Sequence, residues 1–368
     1  MPQQHNDQYY MQLALALAAK GEGCTSPNPL VGAVVVKDGQ IVGQGYHQRA
    51  GTPHAEVHAL KEAGDLARGA TIYVTLEPCC HYGRTPPCTE AIKQAGISRV
   101  VASITDPNPL VAGKGLQLLE NAGLAVTSGV LADEAAKLNE VFIKNVATGR
   151  PFVVLKAAVS LDGKIATVTG ESQWITGPIS REFTHRLRHR YDGILVGVNT
   201  VLADNPSLTT RLPGGEGKNP VRIILDSKAR TPLESNIIRH PAGTGTIIAT
   251  TAAAEPARIA ALRDAGADVL VLPSTGTGVD INQLLKELSM RQITSILVEG
   301  GAKVHASFIS SQAVDKVYWF IAPMLIGGEG APGAIGGKGI EKLQQALRLQ
   351  RTTTHHFGED ICIEGYVK

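Results

Sequence analysis

Apolar positions along the first third of the chain alternate between a helical and a strand-like period. The run QYYMQLALALAAKGEG places Tyr10, Leu13 and Leu17 on one stripe, which predicts a helix that Asp7 can cap and glycines end. The next segment, PNPLVGAVVVKDGQIVGQGYH, predicts two strands joined by a turn at Asp38-Gly39. HAEVHALKEAG predicts a helix ending in Gly64, and ATIYVTLEPCC a buried strand running into a loop. CTEAIKQAG and ISRVVASITDP add a helix and a strand. Residues 131–148 predict a helical connection, and TGRP at 148–151 breaks it. Two domains are placed around that break, 1–147 and 148–368.

The second part restarts with a strand in PFVVLKAAVSLDGKIA. Further strand candidates are DGILVGVNT, VRIILD, TIIATT, DVLVL, SILVEGG and KVYWFIAP, with helical stretches between several of them. Such alternation predicts an α/β fold with a largely parallel sheet. IGGEGAPGAIGGKG is expected to be a mobile glycine-rich loop, and DICIEGYVK a final edge strand.

Composition narrows the class. At 368 residues the chain is long for one core, which supports two domains. Hydrophobic residues at 43% and charged residues at 18% fit a globular protein. A formal net charge of +2 without a basic cluster argues against a nucleic-acid partner. No apolar stretch is long enough to span a bilayer, and MPQQHNDQYY is no signal peptide, so a cytoplasmic location and no membrane partner are expected. Five cysteines, three of them in EPCCHYGRTPPC, favour metal or catalysis over a disulfide framework.

That cluster pairs with GTPHAEVHAL upstream. His54 and His58 share a helical face, but an HExxH zinc helix needs its glutamate directly after the first histidine, and Ala55 stands there. The better fit is H-x-E with two cysteines: His54, Cys79 and Cys88 hold one Zn²⁺, and Glu56 moves protons. His54 and Glu56 diverge by roughly 200° in mid-helix but can both project around a helix start. Cys88 also opens a helix, whose positive end favours a thiolate. Cys80 is read as a packed or loop thiol, His81 as a loop residue or a substrate contact, and His58 as a packed histidine or one that supports the ligands. A structural zinc would want a fourth protein ligand and would leave Glu56 idle. The common deaminase pattern has two residues between its cysteines; here there are eight, so CHYGRTPP must loop out, with Arg84 and Thr85 free to meet an anionic substrate.

TSPNPLVGAVVV, PHAEVHAL, TLEPCCHYGRTPPC and DPNPLVAGKG together resemble the N-terminal domain of the bifunctional riboflavin biosynthesis deaminase/reductase family. LKAAVSLDGKIAT, GESQWITG, RLRHRYDGILVGVNTVLADNPSLTTR and LVEGGAKVHASF resemble its reductase domain. The resemblance implies a cytidine-deaminase-like α/β/α domain followed by a dihydrofolate-reductase-like α/β domain. It implies zinc-dependent deamination of 2,5-diamino-6-ribosylamino-4(3H)-pyrimidinone 5′-phosphate, then NADPH-dependent reduction of ribosyl to ribityl. A homo-oligomer is expected. The alternative is a nucleoside or tRNA deaminase with an appended reductase-like domain.

By the same resemblance, Asn28 contacts the pyrimidine, and Ser172, Arg188, Leu208, Arg211 and Glu299 contact the phosphorylated substrate of the reductase. Ala158, Trp174, Thr200, Asp204 and Ser227 match cofactor positions, as do Gly301, Ala302, Lys303, Val304, His305, Ala306 and Ser307. Two arginines suit a phosphate dianion through their forked geometry. Gly300 and Gly301 would let a phosphate approach the backbone at a helix start. Lys156, inside an apolar strand, must reach a partner or cavity; it is expected near Asp204 with a role in proton transfer.

Overall fold

The computed structural model describes residues 6–82, 86–108, 112–215, 217–239, 243–276 and 278–368. The chain divides into two compact units, Met1–Gly149 and Arg150–Lys368.

Five strands build the first unit: β1 (Gly32–Lys37), β2 (Gln40–Tyr46), β3 (Thr71–Leu76), β4 (Arg99–Ile104) and β5 (Ala125–Thr127). Their order is β2-β1-β3-β4-β5. β1 runs antiparallel to β2 and β3, and β3, β4 and β5 run parallel. The β1–β2 turn falls on Asp38 and Gly39, both with positive φ, as a tight hairpin requires. Both sheet faces are covered, which is why β1 reads as an unbroken apolar run. Ala33 and Val35 meet Ala59, Leu60, Ile92 and Leu119 on one face; Val34 and Val36 meet Tyr10, Met11, Ala14 and Leu17 on the other.

Two local expectations change. Asn6, not Asp7, caps the first helix, Asp7–Ala19, by accepting the Tyr9 N–H. Asp7 is drawn to the sheet instead, accepting from Arg99 at 2.7 Å and from the Tyr73 hydroxyl at 2.9 Å; the Arg99 bond holds its carboxyl below the ordinary range. The connection after residue 131 is two helices, Ala132–Leu138 and Glu140–Thr148. Asn139 interrupts them because its buried amide is engaged elsewhere. It accepts the Leu30 N–H at 2.8 Å and donates to the Leu30 carbonyl at 3.0 Å, pinning the segment that carries Asn28.

Nine strands build the second unit: β6 (Phe152–Ser160), β7 (Gly193–Gly197), β8 (Val221–Leu225), β9 (Thr246–Thr250), β10 (Asp268–Val271), β11 (Ser295–Val298), β12 (Lys316–Ala322), β13 (Leu349–Phe357) and β14 (Asp360–Val367). The order is β10-β9-β8-β7-β11-β6-β12-β14-β13. The first seven in that order run parallel; β14 and β13 are antiparallel additions. The closing segment is therefore not the edge. β14 lies between β12 and β13, and the edge is β13, whose polar LQRTTTHHF is mostly exposed and carries no apolar alternation. The glycine-rich loop is tied at several points. Asp162 accepts the Ile326 and Gly327 N–H groups, Lys164 Nζ donates to the Ala331 carbonyl, and Gly336 N–H donates to the Ala302 carbonyl.

Among the described residues, no helix is long and apolar enough to cross a membrane.

Candidate active sites

The zinc candidates converge from three chain segments. His54 is the N-cap of the helix Ala55–Ala63, with extended backbone, and Glu56 lies in that helix's first turn. The 200° divergence of a mid-helix pair is avoided because His54 precedes the helix. Cys79 follows β3 by three residues, and Cys88 is the first residue of the helix Cys88–Gln94. His54 Nδ1 and the two sulfurs all lie within 4.8 Å of one another. His54 Nδ1 is 3.2 Å from Cys88 Sγ and 3.6 Å from Cys79 Sγ, and the Cys88 N–H donates to Cys79 Sγ at 3.3 Å. The hydrogen bond from the Cys88 thiol, with that of His54, pulls Cys79 down to about 4; donating that bond pushes the Cys88 thiol up.

Glu56 is only 3% exposed, and its Oε2 has no hydrogen-bond partner. Burial raises its pKa, against the pull of His54. Two thiols and an imidazole make a zinc donor set with room for a fourth, non-protein ligand, and an orphaned carboxylate oxygen beside it is poised to handle a proton. The residues fit the metal. Cys80 stands outside the cluster, with burial pushing its thiol up, and His81 is exposed. His58 Nε2 is buried without a partner, one turn further along the helix. Arg84 and Thr85 lie outside the described residues.

Asn28 is tied to this cluster by a residue that sequence reasoning missed. Its Nδ2 is 3.1 Å from His47 Nε2, while His47 Nδ1 is 3.2 Å from the Pro53 carbonyl. A neutral His47 carrying its proton on Nδ1 satisfies both contacts, and burial depresses its pKa accordingly. Its ring meets the His54 ring edge-on at 5.5 Å. No local pattern marks a histidine at the end of an exposed strand as an amide holder.

The second unit contains a cavity of about 970 Å³. Lys156, Ala158, Ser172, Trp174, Arg188, Thr200, Asp204, Arg211, Glu299, Gly301 and His305 all line it. They come from segments far apart in sequence, from Lys156 to His305. At its centre Arg188 grips Glu299 in a bidentate pair, Nε to Oε1 at 2.7 Å and Nη2 to Oε2 at 2.8 Å. Burial works against the Glu299 charge, but Arg188 outweighs it and holds the carboxyl at about 2. Arg188 also donates to the Thr209 carbonyl. His185, absent from the sequence-based set, lines the same cavity and accepts the Arg211 N–H at Nδ1. Burial, then the nearby Arg188 and Arg211, press its pKa to about 4.

Several expected residues differ in placement. Lys156 lines the cavity with Asp204, but its charged neighbours are Glu299 and Arg188; burial lowers its pKa. Leu208 is 4% exposed and packs in the core against β7 and β8. Val304 is likewise core. Ser227 lies beyond β8, where its carbonyl accepts from Thr251. Ala302, Lys303, Ala306 and Ser307 belong to the helix Ala302–Ser310 without lining the cavity. Gly300 serves packing rather than a phosphate: a Cβ there would lie 2.6 Å from Val196 Cα. Gly301 is open, its nearest neighbour being Thr200 Oγ1 at 3.9 Å. His305 turns Nδ1 to the Ala334 carbonyl of the glycine-rich loop, and its buried Nε2 has no partner.

Comparison with known proteins joins the two sites. A family model for the RibD C-terminal domain matches residues 151–363, and one for the cytidine and deoxycytidylate deaminase zinc-binding region matches residues 4–104. The riboflavin biosynthesis protein RibD of Bacillus amyloliquefaciens is 48% identical over 362 residues, 98% of this chain and 96% of that one. RibD of Actinobacillus pleuropneumoniae is 46% identical over 97% of this chain and 94% of its own. This chain belongs to the RibD family. Solved members share the fold. Acinetobacter baumannii RibD superposes with a TM-score of 0.88 at 40% identity, covering 98% of this chain and 99% of that one. A diaminohydroxyphosphoribosylaminopyrimidine deaminase/5-amino-6-(5-phosphoribosylamino)uracil reductase from Thermotoga maritima gives 0.87 at 38% identity over the same shares.

As a member of that family, the chain is a bifunctional enzyme of riboflavin biosynthesis, a deaminase and a reductase. Its fold is α/β, with a cytidine-deaminase-like N-terminal part that is zinc-binding and a RibD-type reductase part. The family expected from GRTPPC and its companion motifs is the family found, and the nucleoside or tRNA deaminase alternative falls away.

Proposed function

We propose that the first unit deaminates 2,5-diamino-6-ribosylamino-4(3H)-pyrimidinone 5′-phosphate and that the second reduces the product's ribosyl group with NADPH. The observation that carries the deaminase assignment is Glu56 Oε2, buried and unpartnered beside three converging zinc donors. His54, Cys79 and Cys88 are assigned as ligands of one Zn²⁺. Bound there, zinc supplies the Lewis acidity that makes water nucleophilic near neutral pH. Glu56 takes the water proton, passes it to the ring nitrogen beside C2, and later gives a proton to the departing ammonia. Its burial favours the protonated form it needs between those transfers. Asn28, oriented by His47, holds the pyrimidine.

For reduction, Arg211, with His185 bonded beside it in the cavity lining, is assigned to the substrate phosphate. Ser172 and the Arg188–Glu299 pair are assigned to the same substrate. Leu208 and Ser227 can contribute only from outside the cavity lining, Leu208 through its backbone. Ala158, Trp174, Thr200, Asp204, Gly301 and His305 are assigned to the cofactor, with the open Gly301 at a helix start suited to a phosphate. NADPH, when bound, supplies hydride for C1′ of the ring-opened ribosylamine. Lys156, with its pKa lowered by burial, donates the balancing proton to the attached nitrogen and leaves a ribitylamine. The products are a small phosphorylated pyrimidine, ammonia and NADP⁺, with no nucleic acid involved, and the proposed setting is the reducing cytoplasm that suits thiolate ligands.

The test joins zinc analysis with two assays. Zinc-loaded protein should release ammonia from the diaminopyrimidinone phosphate and then oxidise NADPH on the product. Ammonia release from cytidine, or from adenosine in RNA, without turnover of that substrate would overturn the reading.

A further inference from the structure

Glu77 takes no part in the chemistry above, yet its carboxylate is 3% exposed between β3 and the Cys79 ligand. Its N–H donates to the Ile104 carbonyl at 2.9 Å, extending the β3–β4 pairing one step past Leu76. The side chain then reaches the segment that leaves β4. Oε2 accepts the N–H groups of Asp106 at 3.1 Å and Gly113 at 2.8 Å. Oε1 accepts those of Gly115 at 2.8 Å and Leu116 at 3.4 Å, at the start of the helix Lys114–Asn121. Gly115 packs directly on the strap of residues 77–79 that ends in Cys79: a Cβ there would lie 2.1 Å from the Pro78 carbonyl oxygen. Asp106 has Glu77, His81 and Cys79 as its charged neighbours. The two segments thus leave neighbouring parallel strands at their carboxyl ends, where open α/β sheets place their ligands.

We propose that Glu77 is a positioning residue for deamination, holding Asp106 and residues 113–116 against the residues that carry Cys79, beside the zinc site. The proposal rests on the deaminase assignment above. A carboxylate is required because every one of these partners donates, and both oxygens are used. Glutamine keeps one acceptor oxygen and turns two N–H donors toward two others. Aspartate is one methylene too short to span the gap.

In the full, zinc-loaded chain, Glu77→Gln should raise the deaminase KM about tenfold or more, while kcat changes less than about threefold. Zinc content and reduction of the deaminated intermediate should stay at wild-type levels. Amide exchange reads the geometry directly: the Asp106, Gly113, Gly115 and Leu116 N–H groups should be slow in the wild type and fast in the variant. Faster exchange with an unchanged KM would overturn the proposal. Loss of zinc in proportion to activity would overturn it too, since Glu77 would then only support the strap. If Glu77→Gln does not fold, Gly113→Ala decides. Gly113 has φ +84° and open space around it, so the substitution strains this segment without touching the strap. A raised KM with zinc retained supports the proposal, and an unchanged KM sinks it. A wild-type protein that releases no ammonia would instead defeat the deaminase assignment.

Discussion

The zinc site and the reductase cavity solve the same problem, holding charge away from water, in opposite ways. The first gathers two sulfurs and an imidazole nitrogen within 4.8 Å and leaves one carboxylate oxygen unpartnered. The second closes its charges on each other, with Arg188 clamping both oxygens of Glu299. An orphaned group is ready to exchange a proton; a paired one is ready to orient a ligand. On the proposed assignments, the unpartnered Glu56 oxygen moves protons in the first site, while the closed Arg188–Glu299 pair orients substrate in the second and leaves the proton to Lys156.

The largest expected effect breaks the first site alone. Glu56→Gln should lower the deaminase kcat by about 10²–10⁴-fold while zinc stays bound and reduction continues, because a proton carrier is lost and the ligands are not. Ammonia release and metal analysis check it, and near-normal turnover would return Glu56 to a packing role. Next comes Glu299→Gln, which leaves the Arg188 guanidinium largely buried without its counter-charge. Breaking such a pair destabilises the fold by about 3–5 kcal/mol, and because the guanidinium is then no longer held in place for substrate, reduction should fall about 10²-fold or more. Deamination measured on the same sample should hold. Equal damage to both activities would mean that the two sites are not separate.

A smaller effect is confined to acid. His185 has an ordinary pKa of 6.5 and about 4 in the fold. Between those values the unfolded chain holds a proton that the folded chain lacks, so stability is lost as pH falls through that window. Partial exposure screens the contribution to about 1 kcal/mol. Unfolding followed from pH 7 to 4 should show this slope in the wild type and lack it in His185→Gln. A matching slope in the variant would move the titration elsewhere.

The same contrast explains what could be read from the chain. A metal site is written in short spacings: His54 and Glu56 at one helix start and Cys88 at another are local facts, and the pattern needs no knowledge of the sheet. Arg188 and Glu299 stand 111 residues apart, and nothing in RLRHR or LVEGG announces that they meet. His47 and His185 were missed for the same reason, since each works by holding a distant residue. Lys156 reads as a misfit in an apolar strand, but only the fold shows Glu299 and Arg188 as its charged neighbours. Gly300 and Gly301 look alike in sequence, yet one is filled by a neighbouring strand and the other is open. The edge strand β13 escaped notice because an exposed edge needs no apolar alternation.

The smallest expected effect tests the choice of sulfurs. Cys80 adjoins Cys79 in sequence, and a strand-like alternation would send the two side chains to opposite sides. It stands outside the group formed by His54, Cys79 and Cys88, and its thiol is pushed up by burial rather than pulled down by a donor. Cys80→Ser removes a polarisable atom and keeps the size. Zinc content and deamination should therefore match the wild type within error. Metal loss would show that Cys80 enters the coordination sphere when zinc binds, closing the site with a fourth protein ligand. A closed site has no place for water, so that one result would also remove the task given to Glu56.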